Sequence, residues 1–181
     1  GDLINSTKVL IVDDEPDIVE EVVEQLEDEG IECLSAHNAQ SAIDIVNADL
    51  EIGVVVTDIR MPGMDGLEMA RQMKAGTDNK ERDLFVIVVT GHAGMKEAIE
   101  ALQIGAEDFL TKPLSPDHLL HSVRRAGEMV HLRQHERHFQ QILEDEVLAK
   151  TAELNETMQQ LATANRIKDE FMSTMGHELR T

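Results

Sequence analysis

Aromatic residues are almost absent from this chain of 181 residues, where they make up 2% of the sequence as four Phe with no Trp or Tyr. Hydrophobic residues still account for 41%, so the core has to be built from aliphatic side chains. Long apolar runs are also missing. The longest, Val9–Val12 and Leu84–Val89, are far shorter than the roughly 20 residues needed to cross a bilayer. With no signal peptide visible, a cytoplasmic protein is expected.

Cysteine and positive charge are scarce as well. Cys33 is the single cysteine, which excludes an intramolecular disulfide and a zinc site of cysteine spacing and fits a reducing cytosol. The 36 acidic residues outnumber 16 Lys and Arg, giving a formal net charge of −20. Binding to nucleic acids depends on cations that neutralise phosphates, so nucleic acid and anionic membranes are poor candidate partners. Cations or other proteins fit better.

Up to about Arg125, short apolar runs alternate with amphipathic segments. Strands buried on both faces read as continuous apolar runs, and intervening helices imply right-handed parallel crossovers. Five such units predict an α/β fold with a flavodoxin-like, doubly wound, five-stranded parallel sheet. The predicted strands are Lys8–Val12, Ile31–Ser35, Gly53–Thr57, Leu84–Val89 and Asp108–Thr111, and the predicted helices are Pro16–Glu29, Ala39–Ala48, Leu67–Ala75, Met95–Ile104 and one that opens at Pro116.

Polar residues with a common chemistry follow the predicted strands. The first strand ends in Asp13 and Asp14, the third in Asp58 and the fourth in Thr90, and Lys112 follows the fifth. These positions meet at one edge of a parallel sheet. Any one of these acids alone reads better as a solvated loop residue, but the whole set on successive strand ends does not.

Clustered carboxylates raise one another's pKa unless a cation intervenes, and a hard divalent ion with oxygen ligands is the natural partner. A lysine offers a point charge to phosphate oxygens, and phosphoryl transfer needs chiefly positioning and charge neutralisation. A carboxylate is a possible nucleophile, giving an aspartyl phosphate. The pattern therefore predicts an Mg²⁺-assisted phosphoryl-accepting site.

Four stretches carry a resemblance to the receiver domains of two-component signalling: KVLIVDDEPDI, VVVTDIRMPGMDGLEM, VIVVTGHA and GAEDFLTKPL. The resemblance covers about Lys8 to Arg125. It implies Asp58 as the phosphoacceptor, with a phosphohistidine of an upstream histidine kinase or phosphotransfer protein as the donor. It also implies Mg²⁺ held by Asp13, Asp14, Asp58 and the main-chain carbonyl of Arg60, with Thr90 and Lys112 on the phosphoryl oxygens.

The same resemblance places Phe109 at an aromatic switch position that moves inward together with Thr90. A plain core Phe is an equally good interpretation of this residue. A cis bond between Lys112 and Pro113 is common in the family. The surface expected to change on phosphorylation lies around the fourth helix, fifth strand and fifth helix.

The remainder of the chain is helical in pattern, as one long helix or two joined helices. Leu154, Met158 and Leu161 follow the spacing of a coiled-coil seam, and a helix this polar implies a partner. A parallel homodimer is the simplest arrangement, and packing back on the receiver is the alternative. His131 and His135 have a spacing that can chelate zinc, but solvated histidines are the better interpretation without a third ligand.

The last segment, KDEFMSTMGHELRT, resembles the start of the dimerisation and phosphoacceptor helix of sensor histidine kinases. The resemblance implies that His177 is phosphorylated and that Glu178 is its acid/base neighbour. Gly176 stands where Ser is more usual, and the chain ends before the expected Pro and any ATP-binding domain. A histidine at a frayed helix end is the bland alternative. We expect a truncated piece of a larger kinase that does not itself hydrolyse ATP.

These interpretations combine into three segments: a receiver domain over residues 6–126, a signalling helix or coiled coil over 127–165, and the start of a phosphoacceptor helix over 166–181. The predicted function is phosphorelay signalling, in which Asp58 regulates an attached histidine kinase through a dimeric helix. Two alternatives stay open. One is a non-catalytic adaptor whose tail binds a partner, and the other is a phosphate sink without an output.

Overall fold

The computed structural model describes residues 7–77, 82–91 and 94–180. Ser6 and Thr181, at the outer limits of the predicted segments, lie outside these residues, as do His92 and Ala93 of the VIVVTGHA stretch. The strands are β1 (Lys8–Val12), β2 (Cys33–Ala36), β3 (Ile52–Asp58), β4 (Phe85–Thr90) and β5 (Asp108–Thr111), and the helices are α1 (Pro16–Asp28), α2 (Ala39–Ala48), α3 (Gly66–Thr77), α4 (Met95–Gln103) and α5 (Pro116–Arg180).

All strand pairs are parallel, and the order across the sheet is β2-β1-β3-β4-β5. The chain therefore winds outward in both directions from β1 and β3, and the order reverses between them. The predicted flavodoxin-like fold, with a long C-terminal helix, is confirmed. This order brings the carboxyl ends of β1 and β3 together at the centre of one sheet edge, where the site lies.

The core consists of aliphatic side chains on both faces of the sheet. Along β1, Leu10 and Val12 belong to one buried cluster, while Val9 and Ile11 belong to a second cluster. Successive side chains of a strand point to opposite faces, so one apolar run supplies both layers. This double burial explains why the strands read as continuous apolar segments rather than alternating ones.

Local signals mark several of the helix ends. Pro16 occupies the first turn of α1, where its missing N–H costs nothing. Gly30, directly after the turn that ends α1, has a φ of 79°, a conformation that glycine adopts without a steric penalty. At α2 the side chain of Asn38 accepts a hydrogen bond from the Ser41 N–H at 2.8 Å, which satisfies one free donor of the first turn.

The second strand differs from its prediction. It runs Cys33–Ala36 rather than Ile31–Ser35. Ile31 is buried, but its N–H donates to the carbonyl of Leu26 at 3.1 Å, so it closes the turn after α1. Its apolar side chain packs in the core, although the residue is not part of the strand.

The last helix takes part in two different environments. Its first turns contribute Leu119, Val123, Ala126 and Val130 to the second core cluster. The chain divides into two compact units between His135 and Glu136. The predicted limits at residues 126 and 165 stay predictions, although the buried core reaches Val130. No helix within the described residues is long and apolar enough to cross a membrane.

Candidate phosphoryl-accepting site

The sheet register aligns the polar strand ends that the sequence singled out. Val12 of β1 pairs with Thr57 of β3, which places Asp13 beside Asp58. Asp58 pairs with Val89 of β4, and Thr90 pairs with Thr111 of β5. Because all strands are parallel, their following residues emerge at one edge. The sequence prediction that these groups converge is therefore met by the fold.

Three carboxylates form a tight cluster at this edge. One oxygen each from Asp13, Asp14 and Asp58 lies within 4.8 Å of the other two. Asp13 and Asp58 are buried, with exposed fractions of 4% and 7%, while Asp14 is half-buried. The Glu15 N–H donates to Asp13 Oδ1 at 3.0 Å, which fixes that side chain. Oxygen ligands at this spacing suit a small hard cation.

Lys112 is the cation that the structure itself brings to the cluster. Its Nζ lies 2.8 Å from Asp13 Oδ2 and 3.5 Å from Asp58 Oδ2. Its backbone N–H donates to the Thr90 carbonyl at 2.8 Å, and its bond to Pro113 is cis, as the resemblance implied. The lysine head thus touches two carboxylates whose charges it partly balances.

The surroundings raise the pKa values of both Asp58 and Lys112. Burial raises the pKa of Asp58, and the charge of Asp13 adds to that rise while Lys112 opposes it. For Lys112, burial works against the charged form, but the hydrogen bond to Asp13 and the charges of Asp13, Asp58 and Glu15 raise its pKa overall. Lys112 therefore stays protonated, and Asp58 is more basic than an exposed aspartate.

The loop between β3 and α3 has a tight backbone arrangement. The Gly66 N–H donates to the Ile59 carbonyl at 2.8 Å, and the Thr57 hydroxyl donates to the Asp58 carbonyl at 2.9 Å. A β-carbon added at Gly66 would overlap the Asp58 carbonyl oxygen. Neither contact has a local sequence signature, since both depend on the path of the loop in three dimensions.

Arg60 and the candidate switch residues are placed as follows. The Arg60 side chain makes a 3.2 Å ion pair with Glu97 of α4, a contact that the sequence did not indicate. The predicted use of the Arg60 carbonyl as a metal ligand stays a prediction. Thr90 is buried at the end of β4, while Phe109 is half-buried and packs against the first core cluster. The switch role of these two residues also stays a prediction.

The predicted magnesium site agrees with the residues present. Asp13, Asp14 and Asp58 supply closely spaced oxygens of the type that Mg²⁺ prefers. Two of these carboxylates are buried, and the one positive charge of Lys112 balances only part of the charge of the three acids. When bound there, the ion would neutralise phosphate oxygens next to an anionic nucleophile. The three acids are the residues that would hold it.

The histidines of α5 lie outside this site. The rings of His131 and His135 are 4.2 Å apart in an edge-on arrangement, and among the described residues no third ligand joins them. His177 is exposed near the end of α5. The structure thus brings Asp13, Asp14, Asp58 and Lys112 together, and His177 belongs to the other compact unit.

A parallel sheet of this order, with clustered acids and a lysine at the carboxyl edge, defines a phosphoryl-accepting signalling domain. The chain belongs to the response regulator receiver domain family, since residues 9–124 match the sequence model of that family. It is a receiver domain of a two-component phosphorelay. The predicted family membership is therefore confirmed for this part of the chain.

Known proteins resemble the chain to different extents. The two-component response regulator PprB of Pseudomonas aeruginosa is 38% identical over 125 residues, which are 69% of this chain and 45% of PprB. The C4-dicarboxylate transport transcriptional regulatory protein DctD of Rhizobium meliloti is 34% identical over 169 residues, 93% of this chain and 34% of DctD. This chain therefore spans less than half the length of either relative.

A solved structure supports the same assignment. The beryllofluoride-activated NtrC4 receiver domain dimer is 32% identical, with a TM-score of 0.62, and the match covers 68% of this chain and 98% of that one. The shared part is the receiver. The two relatives are named as a response regulator and a transcriptional regulator, so the comparisons do not extend to a histidine kinase after the receiver.

Proposed function

We propose that Asp58 accepts a phosphoryl group, in the cytoplasm, from a phosphohistidine of an upstream kinase or phosphotransfer protein. One observation carries this assignment: Asp58 is a buried carboxylate at the end of the central strand β3, clustered with Asp13 and Asp14 and 3.5 Å from Lys112 Nζ. Burial keeps its carboxylate poorly solvated and hence nucleophilic. The neighbouring acids supply the cation site that a phosphoryl donor needs.

The transfer itself balances without a further reactant. A carboxylate oxygen of Asp58 attacks the phosphorus, the phosphorus–nitrogen bond of the phosphohistidine breaks, and its electron pair stays on the imidazole, which is then protonated. Lys112 already contacts Asp58 Oδ2 and would contact a phosphoryl oxygen there. The hydroxyl of Thr90, at the end of the adjacent strand, would donate to another.

A small phosphodonor tests this assignment. The chain with Mg²⁺ and acetyl phosphate or phosphoramidate should gain the mass of one phosphoryl group, and Asp58→Asn should abolish the gain because the amide is not a nucleophile. Asp44→Asn on the exposed side of α2 is the matched control and should label like the parent chain. Full labelling of Asp58→Asn, or its loss in Asp44→Asn, contradicts the assignment. Asp14→Ala should raise the Mg²⁺ concentration needed.

We also propose that the tail leads into a histidine-kinase output, which a homodimer of α5 couples to the receiver. The KDEFMSTMGHELRT segment supports this, since His177 is exposed on an uninterrupted helix, as a histidine must be to reach a phosphoryl donor. On phosphorylation, Thr90 and Phe109 would change the surface formed by α4, β5 and α5. Because α5 continues into the tail, such a change would alter the dimer.

A transcriptional output is the second candidate. The alignment to DctD extends over 93% of this chain, well past the receiver, and DctD is named as a transcriptional regulator. The protein at its full natural length, incubated with labelled ATP, separates the two candidates. Acid-labile label that disappears in His177→Gln supports the kinase, and absence of histidine labelling together with binding to promoter DNA supports the regulator.

A further inference from the structure

We propose that the Arg60 side chain changes its anionic partner when Asp58 is phosphorylated, leaving the Glu97 carboxylate of α4 and binding the phosphoryl group. Arg60 is thereby assigned as a phosphoryl-binding residue that stabilises the phosphorylated state of the receiver. The inference rests on the proposed function of Asp58 and adds a further side chain to that site. All of the residues concerned lie in the first compact unit.

A cavity of about 630 Å³ lies beside the acidic cluster and extends to the first turn of α4. Asp14 contributes a carboxylate oxygen to the cluster and also lines this cavity. Arg60 and Glu97 line the same cavity, together with the buried side chains of Ile59 and Met61. Because the cavity joins the acidic cluster to α4, a guanidinium within it can approach either of two anionic groups.

Arg60 is paired with α4 through one exposed contact. Its Nη2 lies 3.2 Å from Oε1 of Glu97, and the Arg60 side chain is 64% exposed. Water screens ion pairs as exposed as this one, so they contribute little free energy. The guanidinium is therefore able to exchange Glu97 for an anion of higher charge.

Glu97 keeps other stabilising contacts when Arg60 leaves. Its second oxygen, Oε2, accepts a hydrogen bond from the Gly94 N–H at 3.3 Å, and Glu97 occupies the third position of α4. A carboxylate in the first turn of a helix is also stabilised by the positive end of the helix dipole. The exchange therefore costs one exposed ion pair and leaves the start of α4 intact.

Phosphorylation of Asp58 creates the stronger anion at the other end of the cavity. A phosphoryl group carries up to about two negative charges and three acceptor oxygens, where the carboxylate carried a single charge. Lys112, which already contacts Asp13 and Asp58, offers a point charge, whereas a planar guanidinium donates two parallel hydrogen bonds to phosphate oxygens. The phosphorylated site should therefore attract Arg60 more strongly than Glu97 does.

Arg60 is close enough to Asp58 to make this contact. Only Ile59 separates the two residues, and two residues of extended chain span at most about 7 Å, which the length of an arginine side chain covers. The backbone of Ile59 is held in place, since its N–H donates to the Val89 carbonyl at 3.0 Å. The exchange therefore needs a change of Arg60 side-chain rotamer and no displacement of the loop.

Beryllofluoride, a phosphoryl mimic that binds at equilibrium, tests the exchange in the full chain at saturating Mg²⁺. Arg60→Gln should weaken its binding about fivefold, because a charged donor to the phosphoryl mimic is lost. Arg60→Lys should give an intermediate affinity, since the charge stays and the paired hydrogen bonds are lost. Glu97→Gln should tighten binding about twofold, because the competing anion is removed. Calorimetric titration measures all of these affinities.

Two comparisons separate an exchange of partners from a general effect of charge. In an Arg60→Gln background, Glu97→Gln should have no further effect, because Glu97 acts only through Arg60. Glu100→Gln removes a carboxylate that lines the same cavity and pairs with Lys96 at 3.9 Å, and it should leave the affinity unchanged. An unchanged affinity in Arg60→Gln, or an equal effect of Glu97→Gln in both backgrounds, would overturn the inference.

The parent chain separates this inference from the proposed function. If it neither binds beryllofluoride nor becomes labelled at Asp58, the phosphoacceptor assignment is wrong and the exchange of Arg60 falls with it. If it does both, and the Arg60 and Glu97 variants bind beryllofluoride equally well, only the exchange is wrong. The tighter binding expected for Glu97→Gln cannot arise from misfolding, so it tests the exchange even where Arg60→Gln lowers stability.

Discussion

The two units of this chain treat their hydrophobic side chains in opposite ways. The receiver buries them in two aliphatic clusters, one on each face of the sheet. The unit from Glu136 onward leaves all of its large hydrophobic side chains exposed among the residues described. Both units have helical or strand periodicity, so periodicity alone does not indicate whether the apolar side chains of a segment are buried within the same chain.

This difference in burial determines whether the side chains of a site are held in place by contacts within the same unit. At the acidic site, Asp58 and Lys112 are oriented by strands, backbone hydrogen bonds and neighbours within the same chain. In the unit from Glu136 onward, the large hydrophobic side chains are exposed and are not held by neighbours of the same unit. A receiver site is therefore preformed, whereas a site on the tail depends on association and hence on protein concentration.

Core truncation should give the largest contrast between the units. Leu10→Ala removes a side chain with no exposed surface and should lower the free energy of unfolding of the receiver by about 3–4 kcal/mol. Leu154→Ala removes a side chain that is 59% exposed and should leave that quantity unchanged within about 0.5 kcal/mol.

Hydrogen exchange of receiver peptides measured by mass spectrometry is the suitable readout, since the chain has no Trp or Tyr for fluorescence. The comparison fails if Leu154→Ala destabilises the receiver as much as Leu10→Ala does. That result would mean that the tail face is covered by the receiver.

Two glycine substitutions should change stability in opposite directions. Gly66→Ala forces a β-carbon onto the Asp58 carbonyl oxygen and to 3.0 Å from Thr57 Oγ1, and overpacking of this kind costs about 2–3 kcal/mol. Gly176→Ala has open space around the new atom and should stabilise its helix by about 0.5–1 kcal/mol.

Thermal unfolding followed by circular dichroism measures the stability of both variants. Labelling of Asp58 reports on the geometry of the loop between β3 and α3. Gly66→Ala should lose labelling together with stability, because the displaced backbone carries the phosphoacceptor. A Gly66→Ala chain that folds and labels normally would show that the loop relaxes freely, contrary to its tight hydrogen bonding.

Sequence reasoning recovered the features that depend on the pattern of one strand or helix. The apolar runs predicted all five strands, and the convergence of Asp13, Asp58 and Lys112 followed from a general property of parallel sheets. Ile31 was assigned to a strand because burial and strand formation give the same apolar signal over so short a run. The predicted strands are therefore all present, but the ends of β2 differ from the prediction.

The contacts that sequence reasoning missed join residues far apart in the chain. The ion pair between Arg60 and Glu97 spans 37 positions, and the fit of Gly66 against Asp58 depends on the exact path of a loop. Neither has a local signature, because Arg, Glu and Gly occur at many positions in loops and helices where they make no such contact. The burial of Val130 in the second core cluster also has no local signature, since its helix continues without a break.

The single cysteine gives the smallest and most local contrast. Burial raises the pKa of the Cys33 thiol to about 12, and Glu27 and Glu32 add to this rise. Since the thiolate is the reactive form, alkylation at pH 8 should be at least about tenfold slower than for a free thiol. In the Cys33→Ser chain, Ser173→Cys places a thiol at an exposed position of the tail, and this thiol should react at nearly the rate of a free thiol. Equal slow rates would show that the tail is covered on more than its apolar face, whereas equal fast rates would show that the edge strand β2 opens readily.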